Sequence, residues 1–461
     1  MSSKPTELEA AMQRALAERS ADAAWSHLEP FRAALTRDPE VASAWAVLLQ
    51  ASPSRPGAVE DLTAILDRFG AADPALAAAA ITALVRVDER RPLDEPAIGE
   101  GAATVAARHA EKLLAALSSE ASADADRGGA LTIAYANALR RLGPARDADA
   151  VAAFERAIAR HGARGEWLVD LGLCHKWAGR FRAALLAFRK AREKLGERRP
   201  VLFHLAGAAI GAGEGEEAAA ALRALGLAAE AAPERLPFVP DLPAAQLRVP
   251  TRGPGHGLAA FVPDAAASFE RVWVQPLSPL HGVVRSPTFR EAIADWGDVV
   301  LWDAAPTGTI PHEGRAVPVF PMLAVLKPGD ERRFRFLALE QTDGQVRALG
   351  EQLPEGVVLY VHGQRVEQVC ARCAAGEVLT KHEHEAPTEH RAVFGKLLIP
   401  GDRPLPEVRD ALEKALRAAP GVLMAIPGLY EALGLTQLAG KNHKSWGVIE
   451  RGALLSARAG A

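Results

Sequence analysis

Residues 369–390, VCARCAAGEVLTKHEHEAPTEH, concentrate the side chains of this chain that are best suited to chemistry. They follow the pattern C-x2-C-x8-H-x-H-x5-H, formed by Cys370, Cys373, His382, His384 and His390. Thiolates and imidazoles are the donor set of tetrahedral zinc, and a structural site closes with four protein ligands. A turn between Cys370 and Cys373 aims both thiolates at one point, so His382, His384 and His390 compete for the two remaining places. Alternation along a strand puts His382 and His384 on the same side. The same residues also suit an unmetallated pair in a polar hairpin, or a pair that responds to metal or oxidation. Two catalytic readings fail on spacing. HEHEA has alanine where the zinc-protease motif H-E-x-x-H needs its second histidine, and CARCA lacks the histidine that completes a c-type haem attachment site.

The Cys-x-x-Cys followed by Gly376 resembles half of a zinc knuckle, in which glycine relieves crowding beside amides that face the sulfurs. That resemblance implies one structural zinc. Other candidates are dispersed. Asp298 and Asp303 in GDVVLWD form a possible pair of strand-end carboxylates, and His281 and His312 sit in expected loops. GPGHG is glycine-rich but follows a proline-rich stretch and has no Gly-Lys-Ser/Thr continuation, so it is not a phosphate loop. No nucleophile stands out, and the chain is expected to be non-catalytic.

Bulk properties narrow the setting. A chain of 461 residues exceeds what one hydrophobic core usually serves. With 54 Lys plus Arg against 57 Asp plus Glu, a net charge of -3 gives no strong nucleic-acid or membrane signal. The first residues, MSSKPTELEAAMQRALAERS, lack an apolar signal-peptide core, which points to a cytoplasmic protein. Three cysteines are too few for a disulfide framework. The Ala- and Arg-rich composition is of the kind that GC-rich bacterial genes encode.

The elements that carry these residues divide into two kinds. In the first half apolar positions recur with a step of 34 residues. Leu168, Leu171, Gly172 and His175 advance to Leu202, Leu205, Ala206 and Ala209, while Ala184, Phe188 and Ala191 advance to Ala218, Leu222 and Leu225. Gly179 and Gly213 keep the step, and Ala150, Phe154 and Ala157 extend it backwards. A 34-residue helix-turn-helix of this kind is similar to the tetratricopeptide (TPR) repeat over residues 130–227. The resemblance implies a helical solenoid that binds a protein or peptide partner. Trp167, His175 and Trp177 are its candidate partner-binding residues, and Cys174 reads as a small buried residue. Upstream, Thr6 with Glu9 spells a capping box, and Asp38-Pro39 and Asp73-Pro74 spell helix starts.

The six prolines of residues 231–257 predict an extended joint. Beyond it, β-rich runs such as RVWVQPL, GDVVLWD, RRFRFLALEQ and GVVLYVHG predict a mainly antiparallel sheet or small barrel over 258–400. Thr342-Asp-Gly344 suggests a hairpin or meander, and SPTFREAIADW a helix. Leu405, Val408, Leu412 and Leu416 make one helical stripe in the tail 401–461, and Tyr430, Gly434, Ala439 and Trp446 look like part of a further TPR hairpin.

The sequence therefore predicts a multidomain chain: an all-α TPR-like solenoid over 1–230, a joint over 231–257, an α+β domain over 258–400 and a helical tail over 401–461. Its expected role is a cytoplasmic scaffold or adaptor stabilised by structural zinc. The rival reading is a metal-dependent enzyme with its site in 258–400, and a third is a metal- or redox-responsive regulator.

Overall fold

The computed structural model describes residues 6–89, 101–117, 129–143, 146–231, 235–251, 269–289, 292–374, 383 and 387–459. A helical region is followed by a β-rich region with a closed, barrel-like five-stranded sheet, a second sheet and C-terminal helices. The chain forms two compact units, one of Met1–Gly282 with Val300–Leu326 and one of Val283–Val299 with Lys327–Ala461.

The first unit opens with α1 (Glu7–Ala17), α2 (Ala21–Leu28), α3 (Pro39–Ala51), α4 (Ala58–Phe69), α5 (Pro74–Glu89) and α6 (Ala102–Ala116). It continues with α7 (Ala130–Leu142), α8 (Asp147–His161), α9 (Gly165–Trp177), α10 (Phe181–Leu195), α11 (Arg199–Ala212) and α12 (Gly215–Ala224). Local chemistry sets the starts. Glu9 N–H donates to Thr6 Oγ1 at 3.2 Å while Thr6 N–H donates to Glu9 Oε2 at 2.6 Å, closing the expected capping box. Asp38 and Asp73 cap α3 and α5, each with proline at the first helical position. Pro30 interrupts the helical run as a short 3-10 segment, Glu29–Ala34.

Each odd-numbered helix packs against the even-numbered one that follows it, and the odd-numbered helices also pack on one another in succession from α1 to α11. The 34-residue step is visible as burial. Ala150, Ala184 and Ala218 are all fully buried, as are Phe154, Phe188 and Leu222. The turns repeat as well. Gly179 (φ +72°) and Gly213 (φ +81°) take the left-handed conformation that ends a helix, followed by Arg180 N–H to His175 O and Glu214 N–H to Ala209 O, both 2.8 Å.

The barrel-like sheet comprises β1 (Ala245–Pro250), β2 (Phe269–Ser278), β3 (His281–Val284), β4 (Val299–Trp302), β5 (Gly308–His312) and β6 (Arg315–Lys327). Its order is β1-β2-β3-β4-β6, and β1 runs parallel to β6 with Gln246 opposite Val319, which closes the ring; β5 is added to β6. The residues read as an extended joint thus contain β1. Its prolines are compatible with this because Pro250 ends the strand and the others flank it. Leu280, Leu301 and Leu323 of this region share one core with Leu205, Ala209 and Leu222 of the helices.

The second unit is built on β7 (Arg332–Glu340), β8 (Val358–Cys370), β9 (Pro387–Ile399) and β10 (Val422–Ala425), in the antiparallel order β10-β7-β9-β8. Its helices are α13 (Gln345–Gly350), the single turn α14 (Ala371–Ala374), α15 (Leu405–Ala418), α16 (Pro427–Ala432) and α17 (Thr436–Ala459). Phe336, Ala338, Val393 and Leu397 form one core with Val408 and Leu412 of α15. Leu337, Leu339 and Ala392 form another with Ile449 and Trp446 of α17. The alternation of the strands assigns the two sets to opposite faces.

Two local expectations differ from the structure. Thr342–Gly344 does not close a hairpin but leads into α13, because the buried Glu340 carboxylate accepts from Gly344 N–H at 3.1 Å and Val346 N–H at 2.9 Å and holds the helix start. SPTFREAIADW is not helical among the described residues. There Asp295 Oδ1 accepts from Thr288 N–H and Trp296 N–H, both at 2.8 Å, and Asp298 Oδ2 accepts from Asp295 N–H at 2.8 Å. These side chains take the amides that a helix would have used. No helix among the described residues is long and apolar enough to cross a membrane.

Candidate functional site

The partner-binding candidates lie on α9. Trp167 is 7% exposed, with the Arg164 guanidinium over its ring at 4.5 Å. His175 is half-buried and accepts from Arg180 Nε at 3.1 Å; burial, then the Arg180 charge, lowers its pKa. Trp177 donates its indole N–H to Asp303 Oδ2 at 3.0 Å and carries Arg140 over its ring at 5.3 Å. Of the three, His175 presents the accessible polar edge. Next to it, Cys174 is fully buried and burial pushes its thiol pKa up to about 12, as suits a packing residue. The native protein is expected to leave Cys174 unlabelled by iodoacetamide at pH 8 on a timescale of hours. Rapid modification at that residue, read by peptide mass, would contradict this burial.

Between the tryptophans' helix and the barrel region lies a buried polar cluster that spacing did not disclose. Lys176 Nζ donates to Asp303 Oδ2 at 2.6 Å and meets His204 Nδ1 at 3.2 Å, and Ala305 N–H donates to Asp303 Oδ1 at 3.1 Å. Lys176 and Asp303 are 3% and 4% exposed. Burial alone would raise the Asp303 carboxyl, but the Lys176 ammonium beside it holds it down at about 2. Burial, reinforced by Lys176, drops His204 to about 3, so the ring is neutral and stacks on Phe188 at 5.5 Å.

A pH dependence follows. In the unfolded chain an ordinary histidine takes its proton near pH 6.5, whereas folded His204 does so near pH 3. Its contribution is therefore complete above pH 6.5 and is lost as pH falls towards 3. His204→Gln is expected to flatten the decline in the urea midpoint between pH 6.5 and 4. An unchanged slope would mean that the ring is protonated in the folded protein.

The carboxylates of GDVVLWD do not act as a pair. Asp303 belongs to the cluster above, while Asp298 accepts from Gly329 N–H at 2.8 Å and Arg333 at 2.6 Å within the second unit. His281 is fully buried and meets Ser278 Oγ at 2.6 Å, and His312 lies against Trp273 on the barrel surface.

In the second unit Cys370 ends β8 and Cys373 lies one helical turn further on in α14. Both are buried in the apolar cluster of Leu337, Leu339, Val369, Ala392 and Ile449, and neither is in a disulfide. Two thiols three residues apart are a donor set that suits a soft metal ion. His390 sits on β9 opposite Glu367, its Nε2 2.8 Å from the Thr388 hydroxyl, and burial lowers its pKa. His382 and His384 lie outside the described residues. Among the described residues no three His, Cys, Asp or Glu side chains form a group that could hold a metal ion.

On the α17 face of the same sheet, Lys396 donates to Asp295 and, at 3.0 Å, to Thr288 Oγ1. His362 lies at the β8 bulge, and burial, then Lys396, lowers its pKa to about 4. Beside these groups a pocket of about 130 Å³ is lined by Phe289, Arg335, Arg365, Phe394, Trp446 and Glu450, among others.

No protein-family model matches this chain, and no curated protein matches it.

Proposed function

We propose that this chain is a cytoplasmic protein–protein interaction scaffold, in which a TPR-like solenoid built from the paired helices α1–α12 recruits a protein or peptide partner. The observation that carries this reading is the recurrence, at a 34-residue step, of buried Ala and Phe or Leu positions and of the same glycine turn at Gly179 and Gly213. Hairpins that repeat in this way stack into an array that exposes the same face several times over, a form suited to an extended partner. Of the three candidates on α9, His175, with the neighbouring Arg180, is open to contact, while Trp167 is buried and Trp177 packs against the core shared with the barrel region. The core shared by α9–α12 with Leu280, Leu301 and Leu323 makes the barrel region a buttress for the array.

The test uses the full-length chain as bait. A partner retained by wild type and released at least tenfold more readily by His175→Ala with Arg180→Glu is the expected result. Retention that is indifferent to those changes but abolished by charge reversals within residues 327–459 would assign recruitment to the other unit.

The sheet unit adds a second surface, stabilised by one structural zinc bound through Cys370 and Cys373 with two of His382, His384 and His390. Reducing conditions keep both thiols available as thiolate ligands. Protein purified without added zinc is expected to carry about one equivalent of zinc, which is lost in Cys370→Ser with Cys373→Ser. Wild-type protein that emerges metal-free would remove zinc from the assignment.

A further inference from the structure

We infer that the α17 face of the second sheet holds a binding site for a single aromatic ring bearing a carboxylate, with Arg335 as the group that reads the carboxylate. This site is independent of the scaffold reading, since it uses none of the helical hairpins. Arg335 on β7 lies directly opposite Lys396 on β9, and like charges in directly opposed positions repel. Lys396 is neutralised by Asp295, the neighbouring Arg333 by Asp298 and Arg365 by Glu367. Among the described residues Arg335 is the one base of these four without a carboxylate partner. Its guanidinium lies instead between two rings, 5.8 Å from the centroid of Phe289 and 5.5 Å from that of Trp446. A guanidinium against aromatic faces keeps its edge N–H donors for an acceptor in the ring plane, and the planar fork matches a carboxylate.

Size and lining give the rest of the ligand. The pocket beside Arg335 measures about 130 Å³, close to the roughly 150 Å³ of an apolar cavity that accepts benzene. Phe289 and Phe394 stand edge to face at 5.3 Å and, with Trp446, offer ring surfaces to one six-membered ring. Glu450 lines the same pocket, so the site carries an acid as well as a base. Two sources share this chemistry: a free aromatic amino acid, whose ammonium Glu450 would meet, and the C-terminal aromatic residue of a peptide, which has no ammonium there.

Calorimetric titration of the full-length protein with L-phenylalanine, N-acetyl-L-phenylalanine and N-acetyl-L-phenylalaninamide tests this. At least one of the two acids is expected to bind at least tenfold more tightly than the neutral amide, and Arg335→Gln to remove about tenfold or more of that affinity. Arg335 is exposed, so the variant should melt with the wild type, and Trp446→Leu should weaken binding as a second check. Tighter binding of phenylalanine, with the preference lost in Glu450→Gln, identifies the free amino acid. Binding of the N-acetyl compound that is at least as tight identifies a peptide terminus. Amide and acid binding equally, no acid binding, or an Arg335→Gln protein with wild-type affinity would each overturn the site.

Discussion

Asp303→Ala is expected to destabilise the protein by about 3–5 kcal/mol, because it leaves the Lys176 ammonium buried without a counter-charge. Lys176 is 3% exposed and its other close contact is a neutral His204, which cannot replace the carboxylate. Asp303→Ala also strands the indole N–H of Trp177 and the amide of Ala305. A better-packed apolar replacement of both charges, Lys176→Met with Asp303→Leu, should recover much of the loss, since desolvation offsets most of the attraction within a buried pair. Denaturant melts of the single and double variants decide the matter. If Asp303→Ala costs less than 1 kcal/mol, water reaches the ammonium and the pair is not buried in solution.

The second large effect concerns the repeat register. Phe188→Ala is expected to cost about 3–5 kcal/mol, as for other large-to-small changes at fully buried aromatics. Gly172 faces that ring so closely that a Cβ there would lie 2.5 Å from Phe188 Cε1. Gly172→Ala in the wild-type background should therefore cost about 1–3 kcal/mol through overpacking, despite alanine's better helix propensity. In the Phe188→Ala background the clash has no partner, and the same change should be neutral or gain about 1 kcal/mol from helix propensity. Additive single effects in this cycle would show that α9 and α10 do not meet through these residues.

Local periodicity was readable because its causes are local. The capping box of Thr6 and Glu9, the Asp-Pro helix starts and the stripe of Val408 and Leu412 each depend on residues a few positions apart. The step through Ala150, Ala184 and Ala218 was readable because identical packing problems receive the same answer. What stayed hidden depends on distant partners. Nothing near Asp303 announces Lys176, which is 127 positions away, and Asp298 is matched with Arg333 only once β7 is in place. SPTFREAIADW has helical composition, yet Asp295 answers to Lys396 and to nearby amides, so side-chain bonding overrides propensity. The proline-rich 231–257 hid β1 because a strand that ends in proline has the composition of a linker. The cysteine pair was conspicuous as chemistry, but its seat among Leu337, Leu339 and Ile449 required the tertiary fold.

The closing pair of the barrel has a consequence for how the chain is made. Gln246 meets Val319, so the ring cannot shut until the ribosome has released β6, by which time residues 283–299 of the other unit have already emerged. The nascent chain crosses between the two units at 282/283, 299/300 and 326/327. The helical hairpins, whose contacts are local, can form before the barrel closes. Synthesis thus passes through an interval in which α9 has been made and Asp303, the carboxylate that Lys176 meets in the finished fold, has not. A stop between residues 230 and 302 would leave out the carboxylate that both Lys176 and Trp177 use.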